Sequence, residues 1–134
     1  MEVTQTTKNP KNDWQLTSDR PVFIQIMEKL KRDIVTGIYK PGDKLPSVRE
    51  LASEAAVNPN TMQRAFSELE REGLVYTQRT NGRFITEDMN MISQLKEQMA
   101  LDAISNFLNS MQQLGFSKRE TLALLEDTLE EETV

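Results

Sequence analysis

The chain contains neither cysteine nor histidine. Without cysteine there is no disulfide framework, no thiolate nucleophile and no Cys-based zinc site. Without histidine the commonest general base and metal ligand is missing as well. Carboxylates such as Glu126 and Asp127 are present, but adjacent helical residues point apart and these two sit in an acidic tail. The chain therefore reads as a non-enzyme with no cofactor and no metal. No apolar run approaches the roughly 18 residues of a membrane span. The N-terminus also lacks the charged-then-apolar order of a signal peptide. The expected location is the cytoplasm, with no membrane partner.

Positive charge is in short supply overall, and its distribution matters more than its total. The net charge is −5 over 134 residues. Residues 1–88 carry 13 Lys and Arg against 13 Asp and Glu, whereas residues 89–134 carry 3 against 8. The acidity thus belongs to the C-terminal segment. A neutral first part can still present a basic face, because DNA affinity depends on local clustering of cations.

Two short amphipathic helices stand at the centre of the chain. Ser47-Val-Arg-Glu50 has the capping-box pattern of a helix start, and Val48, Leu51 and Ala52 form its inward face. Asn58-Pro59 starts the next helix, with Asn as N-cap and Pro in the first turn. Met62, Ala65, Phe66 and Leu69 form its buried stripe and Gly73 stops it. The opposite face offers Asn60, Thr61, Gln63, Arg64 and Ser67. Asn and Gln can pair bidentately with adenine and Arg with guanine, and a Thr methyl can touch the thymine methyl. An exposed helix face is polar in any case; the capped helix and tight turn before it favour DNA.

Upstream, Pro21 opens a helix with Phe23, Ile26, Met27, Leu30 and Ile34 on one face, and Gly37 ends it. Glu28, Lys29, Lys31, Arg32 and Asp33 are expected on a solvated face. Residues 1–19 read as a polar, poorly ordered arm in which Trp14 and Leu16 tuck against the domain. Downstream, Leu74–Gln78 and Arg83–Thr86 are β-rich runs around Arg79-Thr80-Asn81-Gly82. Asn-Gly predicts a type I′ hairpin turn, with Arg79 and Arg83 at a basic tip.

From Glu87 onward the pattern changes to long helices. Ile92, Leu95, Met99, Ala103, Phe107 and Leu114 form a stripe that Leu101, Ile104, Leu108 and Met111 widen. Asp88 is a candidate cap and Gly115 a candidate stop. Ser117-Lys-Arg-Glu120 is a second capping box, opening a shorter helix with Leu122, Leu124, Leu125 and Leu129. Faces this broad need a further partner surface, and a two-fold dimer is the commonest one. The expected dimerisation residues are Ile92, Leu95, Met99, Ile104, Phe107, Leu108, Met111, Leu122 and Leu125. The other available surface is the protein's own first domain.

These motifs resemble the GntR family of bacterial transcription regulators over about residues 20–86. The resemblance rests on Pro21-Val-Phe-Ile-Gln-Ile26, Gly37, Lys40-Pro-Gly42, Leu45-Pro-Ser-Val-Arg-Glu-Leu-Ala52, Val57-Asn-Pro-Asn-Thr61, Glu72-Gly-Leu-Val75 and Arg79-Thr-Asn-Gly-Arg-Phe84. The short two-helix C-terminal segment looks like the YtrA subfamily. The implied architecture is mainly α with a small β-wing. It comprises an arm (1–19), a winged helix-turn-helix DNA-binding domain (20–87) and a two-helix dimerisation segment (88–134). The implied DNA contacts are Ser47 and Arg49, then Asn58, Asn60, Thr61, Gln63 and Arg64, then the wing residues Arg79, Thr80, Gly82 and Arg83. Two positions depart from the family pattern, Asn58-Pro59 at the recognition-helix start and Thr80 at a usual wing glycine.

The implied function is a sequence-specific homodimeric regulator, a repressor, on a pseudo-palindromic double-stranded operator. Control of ABC transporter genes is implied by the resemblance alone. No residue reveals the operator or a small-molecule effector. The competing reading is a winged-helix adaptor that engages a protein partner and binds DNA only nonspecifically.

Overall fold

The computed structural model describes residues 13–132; most of the expected arm, residues 1–12, lies outside them. Five helices and two strands follow in order: α1 (Val22–Val35), α2 (Val48–Ala55), α3 (Pro59–Arg71), β1 (Val75–Gln78), β2 (Gly82–Ile85), α4 (Met89–Gln113) and α5 (Lys118–Glu132). The fold is the expected one, mainly α with a small β-wing. The chain forms two compact units that divide at Leu95 and Lys96, within α4.

Local signals set the helix ends. Ser47 and Glu50 form a complete capping box, with Glu50 N–H donating to Ser47 Oγ at 3.0 Å and Ser47 N–H to Glu50 Oε1 at 2.9 Å. Those bonds hold the Glu50 carboxyl below the usual carboxylate range. Asn58 Oδ1 accepts the Asn60 N–H at 2.7 Å, so the cap satisfies a donor the helix cannot. Asp88 caps α4 through Asn90 and Met91. Ser117 and Glu120 repeat the capping box before α5.

The first unit packs α1, α2 and α3 around a core that includes Ile26, Leu30, Leu51, Met62, Phe66 and Leu69, closed by Val75 and Ile85 from the wing. Trp14 and Leu16 lie against this core as expected. Gln25 is buried and ties the N-terminal segment down, its Nε2 donating to the carbonyls of Thr17 and Arg20 and its Oε1 accepting from Thr17 N–H.

Two expectations are corrected. The first concerns α1, where Lys29 and Asp33 are buried and not solvated. Their 2.6 Å ion pair lies beneath Trp14, whose ring centroid is 5.2 Å from Lys29 Nζ. Burial raises the Asp33 pKa, against the opposing pull of Lys29. Adjacent carboxylate-ammonium positions at i and i+4 pair on any helix; the N-terminal segment is what excludes water from this pair.

The second concerns the hairpin. β1 and β2 pair antiparallel with Tyr76 opposite Phe84 and Gln78 opposite Gly82. Arg79, Thr80 and Asn81 therefore form a three-residue loop, closed by Asn81 N–H donating to Gln78 O at 3.0 Å. Gly82 alone takes positive φ there, +102°. A type I′ turn needs positive φ at both central residues, so the hairpin does not use one.

One pairing goes beyond the reading from sequence. Lys44 bridges Phe84, and Leu45 N–H bonds Arg83 O at 2.9 Å while Ile85 N–H bonds Asp43 O at 2.8 Å. The segment before α2 thus covers the free edge of β2, the kind of edge that folded proteins protect.

Tyr39, just beyond α1, is 2% exposed. Burial, then the nearby Asp33 and Glu54 charges, push its phenol up to about 12. A raised pKa means the folded state favours the protonated phenol. Its stabilising contribution is complete below about pH 10 and disappears as pH rises through about 12. The stability difference between parent and Tyr39→Phe should shrink by about 2 kcal/mol between pH 9 and 12. Urea denaturation of both proteins across that range measures it; a constant difference would refute the assignment.

Candidate nucleic-acid interface

α2 and α3 are joined by Ala56, Val57 and Asn58, with Ala56 in the left-handed conformation at φ +58°. This residue turns the chain sharply, as a helix C-cap does. The connection packs α3 against α2. A concave surface between the start of α2 and the wing is lined by Lys44, Ser47, Glu50, Thr80, Gly82 and Arg83. Two distant parts of the chain, the α2 start and the wing tip, therefore meet.

The expected contact residues fall into three groups. Arg49, Asn60, Gln63, Arg64, Arg79 and Thr80 are exposed, and Thr61 is half-buried. Their polar groups face outward or lie at the rim of the core. Ser47 and Asn58 use their side-chain oxygens to cap helices. Gly82 supplies backbone shape. Arg83 stands apart, because its side chain does not extend from the wing tip. Its Nε donates to Glu70 Oε1 at 3.3 Å, and its guanidinium lies 5.3 Å from the Phe66 ring centroid.

Other side chains are held in place. The Arg64 guanidinium stacks 3.9 Å from the Phe23 ring of α1, a contact worth about 0.5–1 kcal/mol at an exposed site. Gln63 Nε2 donates to Ser67 Oγ at 3.2 Å, which orients the Gln63 amide along the helix face. Lys44 was not among the expected contacts. It stands beside the wing, its Cε within 3.1 Å of where a Cβ on Gly82 would be. Only the strand pairing of Lys44 with Phe84 brings it there, a signal that alternation around Leu45 could have hinted at.

Charge pairing resolves the puzzle of neutrality. Arg20, Lys29, Lys31, Arg71 and Arg83 each have a carboxylate partner: Glu28, Asp33, Glu72, Glu68 and Glu70 respectively. Among the described residues, none of Lys44, Arg49, Arg64 and Arg79 forms an ion pair. Among the described residues Arg32 and Lys40 likewise form no ion pair, and α3 and the wing also hold the paired Arg71 and Arg83; Lys44, Arg49, Arg64 and Arg79 are the uncompensated cations on or beside α2, α3 and the wing. Such a local excess is what a phosphate backbone attracts.

The C-terminal unit is built differently. Ile104, Phe107, Leu122 and Leu125 are exposed, as are Leu101, Leu124 and Leu129. Met99, Leu108 and Met111 are half-buried. Ile92 and Leu95, expected in the same stripe, lie instead against the core of the first unit. The first two turns of α4 thus serve the winged domain. Among the described residues, no helix is long and apolar enough to cross a membrane.

Helix-turn-helix, recognition-helix face and wing define a winged helix-turn-helix DNA-binding regulator. The profile of bacterial regulatory proteins of the gntR family matches residues 24–85. The uncharacterized HTH-type transcriptional regulator YhcF of Bacillus subtilis is 42% identical over 110 residues, 82% of this chain and 91% of that one. The HTH-type transcriptional repressor YtrA of the same organism is 44% identical, over 64% of this chain and 73% of that one. A GntR family transcriptional regulator from Listeria monocytogenes superposes with a TM-score of 0.76 at 41% identity, covering 84% of this chain and 98% of that one. The chain belongs to the GntR family and is a transcription regulator, not an enzyme.

Proposed function

We propose that this regulator is a homodimeric repressor that recognises a pseudo-palindromic operator. The DNA reading is carried by one observation, the set of unpaired cations grouped around α2, α3 and the wing. α3 enters the major groove and presents Asn60, Thr61, Gln63 and Arg64 to base edges. Arg49 approaches from α2, and Arg79 with Thr80 borders the minor groove. Ser47, Asn58 and Gly82 act through backbone geometry. Repression is favoured by the likeness to YtrA, which is named a repressor. The assignment to ABC transporter genes rests on the family resemblance, and mapping the protein's genomic binding sites tests it.

The dimer reading is supported by the exposed Ile104, Phe107, Leu122 and Leu125. Large apolar side chains left exposed at three-residue spacing on α4 and again on α5 favour an interaction site. Two copies would set two α3 helices on half-sites one helical turn, about 10 bp, or a multiple of it apart.

Arg49→Ala and Gln63→Ala test the contacts. If each side chain reads a base edge, each substitution should cost about 1–3 kcal/mol of operator binding, roughly 5- to 150-fold in Kd. The duplex is one recovered by selection from a random pool with the parent protein. Gel-shift titration gives the affinities. Parent-like binding by both variants would sink the contact assignment, and failure of the parent to enrich any sequence would favour an adaptor.

A further inference from the structure

Arg83 is a wing cation that faces away from the tip, and the residue that holds it there is Glu70. Glu70 lies on the recognition helix, two turns beyond the residues that face DNA. One of its oxygens accepts from Arg83 Nε on β2, at 3.3 Å. The other accepts from the Thr77 hydroxyl on β1. Thr77 and Arg83 are direct cross-strand partners. A single carboxylate therefore grips both strands of the wing at one rung. The Phe66 ring forms the floor beneath the guanidinium. Arg83 and Glu70 side chains are only 26% and 31% exposed, so the pair is better shielded than a free surface contact.

The geometry points to Glu70 as a positioning residue for DNA recognition, one that fixes the wing to α3 and withholds Arg83 from phosphate. The inference rests on the proposed reading of α3 and the wing as the DNA surface. Its logic is electrostatic. A freed Arg83 would add one cation at the wing and would attract any duplex, whatever its sequence. Clamped, it contributes orientation and no sequence-independent attraction. The clamp thus favours selectivity over total affinity.

The test uses the full-length chain and two duplexes, one selected by the parent from a random pool and one scrambled. Glu70→Gln can keep an acceptor for Thr77 but cannot balance the Arg83 charge. The variant should bind scrambled duplex about 3- to 10-fold tighter at low salt. Its slope of log K against log salt should steepen by about 1, as one more phosphate contact requires. The ratio of selected to scrambled affinity should fall correspondingly.

Adding Arg83→Gln to Glu70→Gln should cancel the steeper slope. Arg83→Gln alone, with Glu70 intact, should leave the slope of the parent unchanged. A slope that drops by about 1 in that single variant would show Arg83 already on a phosphate and would overturn the proposal. So would a Glu70→Gln protein with parental slope and parental ratio. A uniform loss on both duplexes that merely tracks a lower Tm would assign Glu70 a structural role only, and would also overturn it. Should the parent itself show no preference for any duplex, the DNA reading fails first, and that result is distinct from all of these.

Discussion

Phe107→Asp should weaken binding to a two-half-site operator by about 10²- to 10⁴-fold while leaving the winged domain folded. Phe107 is 41% exposed on α4 of the single chain. Exposed substitutions away from special features change monomer stability by about 0.5 kcal/mol or less. In a dimer the same position would bury an ionised carboxylate with no partner, which costs several kcal/mol. The equilibrium should therefore shift to monomers with little effect on either chain. Each monomer retains α2, α3 and the wing, so affinity for a single half-site should be close to that of one parental domain. What disappears is the second, intramolecular binding event that linkage supplies. Sedimentation equilibrium gives the mass, and titrations on one-half-site and two-half-site duplexes give the affinities. Ile104→Asp, on the same exposed face, should behave alike. A Phe107→Asp protein that sediments like the parent would place the dimer surface elsewhere.

The features legible in the sequence are those whose cause lies within a few residues. Ser47 with Glu50, Asn58, Asp88, and Ser117 with Glu120 each satisfy backbone groups of the adjoining helix turn. Their chemistry needs no distant partner, so the helix starts were readable one by one. The apolar stripe of α3 was readable for the same reason of period. What escaped depends on which segment arrives from elsewhere. Lys29 and Asp33 look like an ordinary surface pair until Trp14 covers them. Leu45 reads as extended before Pro46, but its pairing partner in β2 lies nearly 40 residues on. Asn81-Gly82 signals a tight turn, but the Gln78–Gly82 pairing makes the loop one residue longer. In the interface, residue types on α3 were legible and side-chain direction was not. Arg83 is basic and next to a wing tip, yet Glu70, 13 residues earlier, decides where it points. Ile92 and Leu95 share the period of the stripe that follows, and only the first unit's core claims them.

Phe66→Ala should destabilise the winged domain by about 3–5 kcal/mol, the range for removing a large buried aromatic. Phe66 has no exposed surface and sits on α3 among Met62, Ala65 and Leu69. Natural domains are stable by only about 5–15 kcal/mol, so this single change should consume a large part of the total. At about 4–8 °C per kcal/mol for a domain of this size, Tm should fall by tens of degrees. The effect reaches the interface along two routes. Phe66 fixes the depth of α3, and its ring is also the platform under the Arg83 guanidinium. Phe66→Leu separates the routes: it should keep most of the buried volume and cost less than about 1.5 kcal/mol, while removing the aromatic platform. Urea denaturation followed by circular dichroism gives the stabilities. DNA binding measured where both variants remain folded reports on the wing. If Phe66→Ala shifts the urea midpoint no more than Phe66→Leu does, the packing of α3 against the core is looser than its burial implies. If Phe66→Leu alone steepens the salt dependence of binding, the ring and Glu70 share the task of holding Arg83. A parental slope in Phe66→Leu assigns that task to the carboxylate.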